Sequence, residues 1–113
     1  MKLGAIEAGG TKFVVCIGDE NGNIIDRASF PTEEPEKTMA NVFQYFDDKD
    51  IEALGVGSFG PIDPDVNSPT YGYITTTPKP GWSNYNIMGA LKERYDIPMG
   101  FDTDVNVLFG GLF

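Results

Sequence analysis

The sequence contains no histidine, a single cysteine, and fewer than half as many cations as acids: eight Lys and Arg against 17 Asp and Glu, for a net charge of −9. With no histidine and Cys16 alone, the chain offers no nitrogen and sulfur ligand set for zinc. Cys16 falls inside an apolar run and cannot form an internal disulfide, so it reads as a small core residue and suits a reducing, cytoplasmic setting. No apolar run approaches the ~20 residues that span a bilayer, so no membrane partner is expected. The opening "MKLGAIEAGG" has neither a long apolar region nor a cleavage signature, and no signal peptide is expected. The acidic balance argues against nucleic acid as the main partner, because phosphate backbones are held by clustered Lys and Arg. It leaves room for a nucleotide, which backbone N–H groups and a metal ion can bind. What is present is ordinary for a globular protein: 41% hydrophobic and 22% charged residues over 113 positions, enough for one domain with a modest core.

Turn signals divide the chain. Residues 3 to 8 and 12 to 18 read as the two strands of a hairpin, and the Asn-Gly of "DENGN" (19 to 23) turns the chain into a third strand, Ile24 to Phe30. "PTEEPEKTMANVFQYFDD" reads as a helix. Thr32 or Glu34 begins it, Pro35 sits in its first turn, and Met39, Val42, Phe43 and Phe46 share its buried face. "IEALGVGSFG" is a fourth strand. The polar stretch after it, with prolines at 61, 64, 69, 78 and 80, is long enough to be functional or to hold short strands of its own. A second helix is expected with Ser83 or Asn84 as its cap and Ile87, Met88, Leu91 and Tyr95 facing inward. "IPMGFD" closes the series as a fifth short strand. It delivers Asp102 and Asp104 at its carboxyl end, where open α/β sheets place ligands. The expected fold is therefore α/β: three antiparallel strands followed by βα units in a mixed sheet.

The first hairpin raises a chemical question. In "LGAIEAGGTKFVVCI" an acid, Glu7, interrupts an apolar strand, and Gly9, Gly10, Thr11 and Lys12 form the turn. The pattern fits a plain Gly-Gly hairpin turn. It fits equally a turn whose backbone N–H groups and Thr11 hydroxyl face a phosphate, with glycine allowing close approach. The ATPase phosphate loop is excluded: Gly10 stands where that motif needs lysine, and a strand follows instead of a helix.

Four stretches in order resemble the ROK family of sugar kinases, within the actin-like ATPase superfamily of ribonuclease H-like fold. "GAIEAGGTKFVVCIGDENGNII" is similar to the family's first phosphate motif, and "GVGSFGPID" (55 to 63) to its glycine-proline loop. "TTPKPGWSNYNI" (76 to 87) is similar to its Thr-Pro to Gly-Trp segment, and "GFDTDVN" (100 to 106) to its catalytic acid motif. The "SFGPID" and "DTDVN" variants look most like the fructokinase branch, whereas many family glucokinases read E-N-D-A-N at the last motif.

The resemblance implies ATP and Mg²⁺ as cofactors and fructose or a related hexose as partner. It assigns Asp104 the role of catalytic base and puts Thr103 at the sugar, with Asn106 supporting the same loop. Gly9, Gly10, Thr11 and Lys12 are assigned to the ATP phosphates and Glu7 to the metal-phosphate region. Gly60, Pro61 and Trp82 are assigned to the pocket, with simple packing as the alternative for Trp82. Family members are more than twice this length and pair as homodimers. Residues 1–113 therefore correspond to a first lobe. The adenosine site, further sugar contacts and any structural zinc belong to a second lobe outside this chain. The tail "VLFGGLF" departs from the small-residue helix the family usually has there, and its apolar side chains call for a partner surface, so self-association is expected. Glucokinase or another hexose kinase of the same family, and a catalytically inactive sugar-binding or interaction fragment, are the alternatives. A sugar-sensing repressor would carry a helix-turn-helix ahead of the first motif, which here begins at Leu3.

Overall fold

A computed structural model of the protein describes residues 2–58, 63, 65, 67–74 and 81–102, with backbone alone at 58, 101 and 102. Strands β1 (Leu3–Ala8), β2 (Lys12–Gly18) and β3 (Ile24–Pro31) form the expected antiparallel meander. Helix α1 (Pro35–Phe46) follows, then β4 (Ala53–Ser58). The short strands β5 (Tyr73–Ile74) and β6 (Tyr85–Asn86), helix α2 (Ile87–Arg94) and β7 (Met99–Asp102) complete the series.

The main sheet runs β3-β2-β1-β4-β7, with β1, β4 and β7 parallel to one another. Alternation sorts the side chains onto two faces. Ile6, Ala8, Phe13, Val15, Ile17, Leu54 and Val56 join Met39, Val42 and Phe46 of α1 and Ile87, Met88 and Leu91 of α2 in one core. Both helices therefore cover the same face. Each of the large apolar side chains among them contributes about 1.5–3 kcal/mol on leaving water, before conformational entropy is subtracted. Ala5 and Cys16 form a smaller buried pair on the other face, with Leu3 and Ile24 against them. Burial pushes the Cys16 thiol up to about 11, partly offset by Arg27, so it stays a neutral core group. Among the described residues no helix is long and apolar enough to cross a membrane.

Three details differ from the sequence expectation. Pairing of β2 with β3 jumps from Ile17–Asp26 to Gly18–Ile24, so Ile25 is left over as a bulge and stands 58% exposed despite its apolar side chain. The long stretch after β4 does carry a strand, β5, which pairs with β6 immediately before α2. That pairing keeps residues 85 and 86 extended, and the cap of α2 moves from the expected Ser83 or Asn84 to Asn86. The Asn86 side chain accepts from the Gly89 N–H at 2.8 Å, while Asn84 takes a left-handed turn conformation at φ 61°. Tyr95 also lies beyond the helix, as its half-buried C-cap.

Candidate active site at the strand ends

Because β1, β4 and β7 are parallel, their carboxyl ends share one edge of the sheet. Ala8 leads there into the turn 9–12, Ser58 into residues 59–62, and Asp102 into residues 103–106. The register places Glu7, Gly57 and Asp102 in a single row across the three strands. Adjacent strands lie about 4.8 Å apart, so backbone positions 7 and 102 stand roughly 10 Å from each other along this row. Gly57, between them in the register, carries no side chain. Glu7 itself is half-buried.

The turn is closed by the Gly9 N–H donating to the Lys12 carbonyl at 3.0 Å. Its two glycines serve different purposes. A Cβ on Gly9 would stand 2.7 Å from the Lys12 carbonyl oxygen, a backbone atom that cannot move aside, so the hairpin itself requires glycine there. A Cβ on Gly10 would meet no described atom within 4 Å. Neither glycine has a left-handed φ. The fold alone gives no reason for glycine at position 10. Thr11 and Lys12 are exposed beside it.

Thr32, the residue that follows β3, fastens this turn. Its side-chain hydroxyl donates to the Gly9 carbonyl at 2.7 Å, and its N–H donates to the Thr11 carbonyl at 2.9 Å. Composition marked Thr32 only as a possible helix start. Its partners lie more than twenty residues away, and no local signal in the sequence points to them.

Trp82, assigned by resemblance to the pocket, is fully buried. Its ring lies 5.5 Å from Phe13 and 5.2 Å from Tyr85, and its Nε1–H donates to the Glu33 carbonyl at 2.8 Å. The contacts are those of a core residue. Asp63, the last residue of the glycine-proline motif, has its carboxylate occupied by the Ser68 and Thr70 hydroxyls and the Asp65 N–H. Those bonds, Ser68 first, hold its pKa below the usual carboxylate value. It organises its own loop. Gly60, Pro61, Thr103, Asp104 and Asn106 lie outside the described residues.

The ROK family model matches residues 3–110. The chain is 55% identical over 106 residues to a fructokinase of Pediococcus pentosaceus, covering 94% of this chain and 37% of that protein. It is likewise 55% identical over 103 residues to a fructokinase of Lactococcus lactis subsp. cremoris, covering 91% and 36%. The chain thus spans little more than a third of the length of these relatives. Among solved structures, a ROK family glucokinase from Streptomyces griseus in complex with glucose and AMPPNP superposes with a TM-score of 0.74 at 21% identity. That match covers 94% of this chain and 34% of the glucokinase. A ROK family protein from Streptococcus pneumoniae TIGR4 in complex with sucrose gives the same TM-score at 22% identity, over 94% of this chain and 35% of that one. These likenesses show a shared fold, and the match of the family model over residues 3–110 shows the membership: the chain belongs to the ROK family.

Proposed function

We propose that residues 1–113 are the first lobe of an ATP-dependent fructokinase, which transfers the γ-phosphoryl group of ATP to the 6-hydroxyl of fructose. The observation that carries this reading is the 55% identity, over nearly the whole chain, to proteins named fructokinase. The shared edge of β1, β4 and β7 supports it, because it collects the phosphate turn and the strand leading to the catalytic acid motif in one place.

Phosphoryl transfer passes through a loose transition state, so the protein chiefly positions the reactants and stabilises charge. Asp104 takes the proton of the fructose 6-hydroxyl as that oxygen bonds to phosphorus and the bond to ADP breaks. Thr103 contacts the sugar, Asn106 supports its loop, and Gly60 and Pro61 help form the pocket, while Trp82 packs in the core. The turn Gly9, Gly10, Thr11 and Lys12 faces the phosphates. The residues present suit Mg²⁺ held mainly by phosphate oxygens, since that ion needs only one or two protein carboxylates. Glu7 is the half-buried acid at the correct edge, and among the described residues no group of three or more His, Cys, Asp or Glu gathers into a dedicated cage. Glu7 would help hold Mg²⁺ at this edge, where the ion would supply positive charge to offset that of the polyphosphate. The second lobe supplies the adenosine site, further sugar contacts and any structural zinc, and the complete protein works as a cytoplasmic homodimer.

The test is ADP release with a panel of hexoses, by the full-length kinase and by residues 1–113 alone. The full-length protein should turn over fructose in preference to glucose and mannose. The isolated lobe, with one wall of the cleft, should be inactive because reactant positioning contributes several kcal/mol to such steps. A full-length protein that prefers glucose, or an isolated lobe with robust fructose-dependent turnover, overturns the reading.

A further inference from the structure

The segment joining β3 to α1 is fixed to three separate parts of the molecule by two consecutive residues. Thr32 is buried, and its hydroxyl and N–H hold the carbonyls of Gly9 and Thr11. The next residue, Glu33, donates its N–H to the Thr38 hydroxyl at 2.8 Å, inside the first turns of α1. The Glu33 carbonyl accepts the indole N–H of the fully buried Trp82 at 2.8 Å. Glu33 is thereby anchored to the helix and to the core, and Thr32 is a fixed post instead of a flexible linker residue.

The consequence for the turn follows from peptide geometry. No peptide bond among the described residues is cis. In a trans peptide the C=O of one residue and the N–H of the next lie in one plane and point in opposite directions. When the Thr32 hydroxyl draws the Gly9 C=O toward itself, the Gly10 N–H must point away from Thr32. The second bond holds the Thr11 C=O, so the peptide planes on both sides of Gly10–Thr11 are set from the same post. A ligand that approaches Gly10, where there is no Cβ, meets an N–H already oriented before it arrives. Pre-set donors of this kind contribute more than mobile ones because no ordering remains to be done on binding.

The geometry points to Thr32 as a positioning residue for the phosphate turn: its hydroxyl fixes the Gly9–Gly10 peptide plane so that the Gly10 N–H faces the nucleotide. This rests on the proposal above that the turn meets ATP. Thr32 touches neither substrate; it acts through Gly9.

Two variants of the full-length kinase test it. Thr32→Val keeps the shape and the backbone N–H but removes the hydroxyl donor, and Thr32→Ser keeps the donor. Removing one hydrogen bond to this part-buried carbonyl should raise the KM for ATP by about ten-fold. The KM for fructose should stay within about two-fold, and Thr32→Ser should bring ATP back close to wild type. An unchanged ATP KM in Thr32→Val overturns the assignment. So does an equal rise in both KM values that tracks a fall in Tm, which would make Thr32 a packing residue only. Failure of the underlying reading is distinguishable: in that case Gly10→Val would also leave the ATP KM unchanged.

Discussion

Arg94 holds Asp47 through two parallel N–H groups, Nε to Oδ1 at 2.9 Å and Nη2 to Oδ2 at 2.5 Å. Asp47 is the C-cap of α1 and Arg94 the last residue of α2, so the pair joins the ends of the two helices that cover one face of the sheet. The Tyr95 hydroxyl adds a third bond to Asp47 at 2.7 Å, and the guanidinium lies 4.7 Å from the centre of the Phe43 ring. Arg94, and then Tyr95, lower the Asp47 pKa from 3.8 to about 2.

That depression fixes the sign of a pH effect. A carboxylate whose folded pKa is lowered contributes stability above its unfolded value and loses it as pH falls toward the folded one. Both side chains are well exposed to solvent, so the effect is screened and small. Asp47→Asn should lower Tm by roughly 2–5 °C near neutral pH. The gap to wild type should close between about pH 4 and pH 2. Thermal unfolding of the two proteins across that range checks it. A gap that stays constant down to about pH 2 would show that the charge of Asp47 contributes nothing.

Much of the sheet was legible because its boundaries are written locally. Asn21-Gly22 turns the chain between β2 and β3, with Asp19 accepting the Asn21 and Asn23 N–H groups, and the apolar runs on either side fix the strands. The α1 stripe was legible for the same reason, since Met39, Val42 and Phe46 repeat at helical spacing and are buried. The cap of α2 was not, because the choice between Asn84 and Asn86 is made by pairing with Tyr73–Ile74, a contact across the chain. Ile25 looked like any other strand residue, and only the register jump opposite Gly18 shows why it faces water. At the candidate site the glycine pair was visible, but not its division of labour. That depends on where the Lys12 carbonyl lies and on a threonine from the segment after β3.

In the full-length kinase, Asp104→Asn should abolish most turnover while leaving the sugar bound. Asparagine keeps the size and one acceptor of aspartate but cannot take the hydroxyl proton. Loss of a general base lowers kcat by about 10²–10⁴, and the KM for fructose should move by no more than about two-fold. Steady-state kinetics with fructose at saturating ATP supplies both values. A variant keeping more than about half of the wild-type kcat would remove Asp104 from the role of base.

The glycine turn gives the most direct test, because the structure separates what the fold needs from what a nucleotide would need. Gly9→Ala drives a Cβ against the Lys12 carbonyl and should destabilise the protein by about 1–3 kcal/mol whatever is bound. Gly10→Val places its Cβ where no described atom lies within 4 Å and requires no left-handed backbone. Measured in the full-length kinase, Gly10→Val should leave Tm within about 2 °C of wild type, weaken ATP by at least ~10-fold, and leave fructose affinity unchanged. Separate titrations of ATP and fructose, run beside thermal unfolding, read all three quantities. Equal weakening of both ligands in step with a falling Tm, or ATP affinity that does not change at all, would contradict a phosphate-binding turn.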